Sequence, residues 1–115
     1  MSRVSTICRR GDFRRLYAHG RRFKARLMTL VMLENLELSQ TRPAFVVSAK
    51  VGNAVVRTKL RRRLREAWRL AAPRLAMPAD VAIIVHRSAV AANYAELANA
   101  LYMGLRRAGI LPEEQ

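Results

Sequence analysis

Apolar positions along the chain change their spacing several times, and each change marks an element. Phe13, Leu16 and Tyr17 fall at i, i+3 and i+4 behind Asp12, a residue suited to capping, and Gly20 supplies a stop. That spacing predicts a short helix over 12–19. Residues 24–34, KARLMTLVMLE, are rich in apolar and β-compatible types and read as a strand. AFVVSAK (44–50) reads as a second strand, with Pro43 at its start, where a missing N–H is tolerated. The polar stretch 35–43 between them reads as a loop. Gly52 and Asn53 break the second strand and cap the next element, and Pro73 closes it, so a long helix is expected between them. VAIIVH (81–86) is a continuous apolar run of the kind found inside sheets. A final helix is expected to start at Asn93, with Glu96 completing a capping box, and to carry a stripe of Tyr94, Leu97, Ala98, Leu101 and Leu105. Gly109 and Pro112 end it.

This order predicts an α+β fold, a small two-layer α/β sandwich with helices on a sheet. One further short strand is expected near 35–43 or around 50–52. The 115 residues suit one domain spanning 1–115, with a basic N-terminal arm over 1–10 and a tail over 110–115.

The central helix carries two patterns at once. At about 100° per residue from Val56, the side chains of Leu60, Leu64, Ala67, Trp68 and Ala71 share one arc of roughly 120°. Arg61, Arg62, Arg65 and Arg69 lie on the other side of the same wheel. Six of the nine residues from Arg57 to Arg65 are cationic, and Glu66 is the only acid of the helix. Solvated helix faces normally mix signs, because like charges at i and i+4 destabilise a helix. An unmixed arginine ridge therefore implies an anionic partner.

Composition says which anion. The chain has 22 basic and 8 acidic residues, a formal net charge of +14, and its 51% hydrophobic content permits a real core. Of the basic residues 19 are Arg, and only Lys24, Lys50 and Lys59 are Lys. The guanidinium fork matches phosphate oxygens in bidentate fashion, so nucleic acid is the leading partner. A membrane partner is not expected, since no apolar run approaches the ~18 residues of a spanning helix. Phe13 and Tyr17 stand one turn apart among Arg14, Arg15, Arg21 and Arg22. Such a pair either anchors the first helix or stacks single-stranded bases. Cys8 is the only cysteine, which fits a reducing cytoplasm. No metal-ligand spacing, glycine-rich phosphate loop or nucleophile grouping occurs, so no catalytic and no metal residues are expected.

VSAKVGNAVVRTKLRRRLREAW resembles the signature of the protein subunit of bacterial ribonuclease P, typically V-S-K-K-(I/V)-G-N-A-V-x-R-N-R-(I/L)-K-R-x-(I/L)-R-(E/Q)-A-(F/W). GDFRRLYAHGRR and DVAIIVHR...NYAEL are similar to flanking segments of the same family. The resemblance implies a four-stranded sheet with a left-handed βαβ crossover through the arginine helix. It also implies partners, a catalytic RNA and precursor tRNA and not DNA, and a Mg²⁺-dependent reaction in which the RNA removes the 5′ leader. Carried over by position, Asn53, Arg57, Thr58, Lys59, Arg61, Arg62, Arg65 and Arg69 would meet the catalytic RNA. Phe13, Tyr17, Val31, Val46, Ser48 and Lys50 would line the leader cleft, the strand positions by alternation. The sequence departs from the pattern at Thr58 and Lys59, at Ala49, at Val31, and at Thr6 and Cys8. A structural RNA-binding protein of ribosomal type is the alternative, and would leave Phe13 and Tyr17 buried.

Overall fold

The computed structural model describes Ile7 and residues 10–112, so most of the expected basic arm, with Thr6 and Cys8, lies outside the described residues. The order is α1 (Arg10–His19), β1 (Arg21–Lys24), β2 (Met28–Glu34), β3 (Arg42–Val46), α2 (Ala54–Ala71), β4 (Ala79–Val85) and α3 (Tyr94–Arg107). Short 3₁₀ turns follow α2 at Ala72–Arg74 and β4 at Arg87–Ala91. The α+β expectation holds, with three helices and a four-stranded sheet ordered β1-β2-β4-β3. β1 and β4 flank β2 antiparallel, while β3 runs parallel to β4 and reaches it through α2.

The fourth strand lies elsewhere than the sequence predicts. It is β1, Arg-Arg-Phe-Lys, ahead of the expected first strand, which begins only at Met28. Three of its four side chains are charged and exposed, so hydrophobic patterning carries no signal for it; as an edge strand it needs only Phe23 turned toward the core. β3 ends at Val46, short of the expected Lys50, because residues 48–51 turn, with Val51 N–H bonded to the Ser48 carbonyl at 3.1 Å. Helix α1 begins at Arg10, which leaves Asp12 inside its first turn and not at its cap. Ile110 and Leu111, expected to begin a tail, are buried against α3's end, where Gly109 at φ +81° reverses the chain. Ile110 and Leu111 both donate to the Leu105 carbonyl there, the bonding that a left-handed helix stop provides.

The sheet separates two apolar clusters of unequal size. On one face Leu30, Met32, Val81 and Ile83 meet Leu60, Leu64 and Trp68 of α2 and Leu97, Leu101 and Leu105 of α3. Among the described residues the other face is covered by α1, through Leu16 upon Val31, Ala44 and Ala82, with Ile7 alongside. Gly20 makes that approach possible: a Cβ there would stand 2.5 Å from the Leu16 carbonyl oxygen and 2.8 Å from a Val31 methyl. Of the three expected N-caps, Asn53 and Asn93 are present and Asp12 is not. Asn53 Oδ1 accepts from Val56 N–H at 3.0 Å, and Asn93 with Glu96 forms a reciprocal capping box.

Beneath α1 lies an ion pair. Asp80 of β4 is 1% exposed, and its carboxylate takes both Nε and Nη2 of Arg42 at 2.8 and 3.1 Å. The same Nη2 reaches Asp12 of α1 at 3.3 Å, tying the helix to the sheet. Asp80→Ala would strand a mostly buried guanidinium, and urea denaturation followed by Trp68 fluorescence should show a loss of about 3 kcal/mol. The Arg42→Met/Asp80→Leu double variant should recover part of it, since it removes both buried charges and leaves only the partly exposed Asp12 without its partner.

Candidate nucleic-acid interface

Helix α2 presents the first surface. Leu60, Leu64, Ala67, Trp68 and Ala71 are buried, as the wheel predicts, and the basic side chains divide by angle. Thr58, Lys59, Arg62, Arg65 and Arg69 are exposed along with the cap Asn53. Arg61 lies at the margin, half-buried, with Nη2 bonded to the Val47 carbonyl at 3.2 Å. Arg63, on the opposite margin, donates to the Ala92 carbonyl at 3.3 Å. Arg69 holds Glu66 in an exposed i,i+3 pair whose shorter contact is 2.6 Å, and that bond keeps the Glu66 carboxyl below its ordinary range. Arg57 departs from the ridge. It sits at about 100° on the wheel, inside the apolar arc, and is half-buried with Nε sealed from solvent and without a partner. The outward ridge is therefore Arg62, Arg65 and Arg69, with Lys59 and the tip of Arg61 beside it.

The second surface lies between α1 and the sheet. Strand register brings Lys24, Thr29, Ile84 and Val46 into one row across all four strands, on the face that α1 covers. Thr29, Ile84 and Val46 are each only half-buried, so α1 leaves this row open. Phe13, like Val46 and Ile84, packs against the buried cluster under α1, and its ring is stacked with Tyr17 at 6.2 Å and 27°. Tyr17 is 36% exposed, and the Arg22 guanidinium stands 5.9 Å from its ring centre. Thr29 Oγ1 is bonded to His86 Nε2 at 2.8 Å, and His86 Nδ1 to the Arg26 carbonyl at 3.1 Å, which fixes the row's far border.

Not every expected cleft residue belongs there. Val31 is on the correct face but fully buried under Leu16, so it offers no surface to a ligand. Ser48 and Lys50 are exposed, but they lie past the end of β3 in a turn, where strand alternation no longer assigns a face. Three residues of the open row, Lys24, Thr29 and Ile84, are absent from the sequence-based expectation. Ile84 is hidden in the sequence by its uniformly apolar strand, of which it is the one half-buried member. Thr29 is hidden because it reads as an ordinary strand threonine.

Comparison with known proteins identifies the family and the fold. A family model described as Ribonuclease P matches residues 1–109. The chain is 32% identical to the ribonuclease P protein component of Symbiobacterium thermophilum over 114 residues, 99% of each chain. It is equally 32% identical to that of Alkaliphilus metalliredigens over 96 residues, 84% of this chain and 86% of the other. Among solved structures, the Staphylococcus aureus RNase P protein superposes with a TM-score of 0.87 at 26% identity, covering 96% of this chain and all of that one. The Thermotoga maritima RNase P protein shares the fold at a TM-score of 0.81 and 21% identity, over 90% of this chain and 96% of that one.

Each ridge cation that neutralises a phosphate releases about one counterion. For a structured RNA transcript, replacing Arg62, Arg65 and Arg69 with alanine should flatten the slope of log K against log salt by about 2 to 3. Filter binding across a salt series measures it.

Proposed function

The chain belongs to the ribonuclease P protein family, and from that premise we propose how its two surfaces divide the work. It is the RNA-binding protein subunit of the ribonuclease P ribonucleoprotein. The α2 ridge docks on the catalytic RNA, and the cleft beside α1 takes the single-stranded 5′ leader of precursor tRNA. The site of action is the cytoplasm.

The observation that carries this reading is the open row beside Phe13 and Tyr17. A protein that only braces a folded RNA needs its basic ridge and nothing more. Here a second surface, on the other side of the sheet from α2, exposes an aromatic pair with a guanidinium poised over it. Aromatic faces stack unpaired bases whatever their sequence, while Arg22 and Lys24 track the backbone. Val46 of the row is the last residue of β3, and the segment 47–53 that leads from it to α2 carries Ser48, Lys50 and Asn53. A leader held in the cleft is thereby tethered to the RNA that cuts it, and binding energy gained on the leader positions the scissile phosphate.

The chemistry itself falls to the RNA. Mg²⁺ held by the RNA would supply an activated water and charge stabilisation there. The protein's residues contribute electrostatics: cations at the RNA–leader boundary lower the repulsion between two polyanions. Less Mg²⁺ then suffices for assembly and cleavage.

Precursor-tRNA cleavage by a bacterial ribonuclease P RNA, at Mg²⁺ too low for the RNA alone, tests the proposal. Added protein should restore cleavage, and the Arg61/Arg62/Arg65 to alanine variant should abolish the rescue. Tight, salt-sensitive RNA binding without rescue would favour the ribosomal-type reading. Tyr17→Ala should leave docking on the RNA intact and weaken precursor tRNA binding about tenfold, the loss of one stacked base. Mature tRNA, which has no leader, should not register the change.

A further inference from the structure

The open row ends at Lys24, the last residue of the edge strand β1, and the surface beyond that edge is itself organised. On β1's other face, Phe23 lies between two guanidiniums, Arg21 at 5.4 Å and Arg107 at 5.9 Å from its ring centre. Arg21 donates to the Ala108 carbonyl at 3.1 Å and Arg107 to the Lys24 carbonyl at 3.0 Å, so both are held in place without a carboxylate. Among the described residues, none of Arg21, Arg22, Lys24, Arg26 and Arg107 enters an ion pair. Next to them, between the β1–β2 turn and α3, is an open hollow of about 330 Å³. Leu27 and Met103 give it apolar walls, Glu96 and Asn99 add polar atoms, and Arg26 and Arg107 also line it.

An open strand edge invites pairing with another strand, yet a second copy would set Arg21, Arg22 and Lys24 against their own equivalents. The edge repels its own kind and attracts a polyanion. The hollow sits at the small end of ligand-site volumes, the scale of a single small ligand and not of a helix. Cations beside an apolar slot of that size match one unstacked nucleotide and its flanking phosphates.

We infer that the leader, having crossed the cleft, turns over β1 and inserts one unstacked base into the hollow, its phosphates held by Arg26 and Arg107. This rests on the cleft reading and adds a second leader subsite, farther from the cleavage point. Three strand spacings of ~4.8 Å make the row about 14 Å long, enough for about four stacked nucleotides at ~3.4 Å each. Nucleotides beyond those reach β1. In the hollow, Glu96 Oε1 is occupied by the Asn93 N–H at 3.0 Å, which leaves its other oxygen to accept from an exocyclic amino group. Adenine, cytosine and guanine carry one and uracil does not, so the subsite favours the first three.

The test uses the ribonucleoprotein assembled on a bacterial ribonuclease P RNA and precursor tRNAs whose leaders are about four or about ten nucleotides long. Wild-type protein should bind the longer leader more tightly, and uridines in its distal part should reduce that advantage. The Arg26→Glu/Met103→Glu double variant should weaken the long-leader complex about tenfold and leave the short-leader complex unchanged. Arg26→Ala, which adds no charge, should give the same pattern to a smaller extent. Equal affinities of wild type and variants for the long leader would overturn the inference, and so would a loss shared by both leaders. If Tyr17→Ala leaves the short-leader complex unaltered, the cleft reading fails and takes this subsite with it. A variant effect confined to long leaders, with Tyr17 active on both, supports the two together.

Discussion

The structure depends on one helix being held by its apolar side against the repulsion of its charged side. Six cations between Arg57 and Arg65, with a single acid to offset them, make α2 unfavourable as a free helix. Burial is what stabilises it. Leu60, Leu64, Ala67, Trp68 and Ala71 sit at 3% exposure or less, and Trp68 meets Phe45 of β3 edge-on at 6.5 Å. Burying side chains of this size contributes about 1.5–3 kcal/mol for each large one, against a few tenths per like-charge neighbour. The packing term wins, and it wins only because the sheet and α3 are there to receive the helix. The arginine ridge is thus a property of the whole fold, its helix placed by the core beneath it.

The same sheet makes the second surface by being covered unequally. α2 and α3 seal one face, while among the described residues the opposite face has the ten residues of α1 and Ile7. α1 is fixed by contacts at both ends, Asp12 to Arg42 near its start and Gly20 against Val31 just past its end. A helix so pinned cannot slide across the sheet to cover Thr29, Ile84 and Val46. Arg42 is the hinge of this arrangement, because one guanidinium serves a buried carboxylate of the sheet and a carboxylate of the helix. Hydrogen bonding to Asp80 raises the Arg42 pKa further above its ordinary value, so the guanidinium of the pin stays protonated.

Much of this is legible in the sequence, and the illegible parts share a cause. α2 is readable at its cap and, to within a residue or two, at its end, because a 3.6 period, an asparagine cap and a closing proline agree. The capping box of α3 is equally plain. β1 escapes notice because an edge strand with one inward side chain has no apolar alternation to detect. Val31 misleads for a related reason. Alternation assigns a side chain to a face of the sheet, yet whether that face is open at that point depends on where α1 lands, and a contact between Leu16 and Val31 is not written in either segment. Arg57 shows the limit from the other side. The motif groups it with the outward arginines, whereas the helical angle puts it against the core, and the half-buried guanidinium obeys the angle.

The preference for arginine over lysine acquires a structural reason beyond phosphate recognition. Four guanidiniums each give one N–H to a backbone carbonyl at the end of an element: Arg61 to Val47 after β3, Arg63 to Ala92 before α3, Arg107 to Lys24 closing β1, and Arg21 to Ala108 beyond α3. Such terminal carbonyls lack partners in their own element and need a donor. A lysine can supply the donor, but its point charge then faces the carbonyl and little remains for a ligand. A guanidinium has five N–H groups in a fixed plane, so satisfying one carbonyl aims the others outward. Each of these arginines is oriented by the fold before any RNA arrives, which reduces the entropy lost on binding. Fold and charge therefore reinforce each other: the carbonyls that elements leave over are what hold the cations in place.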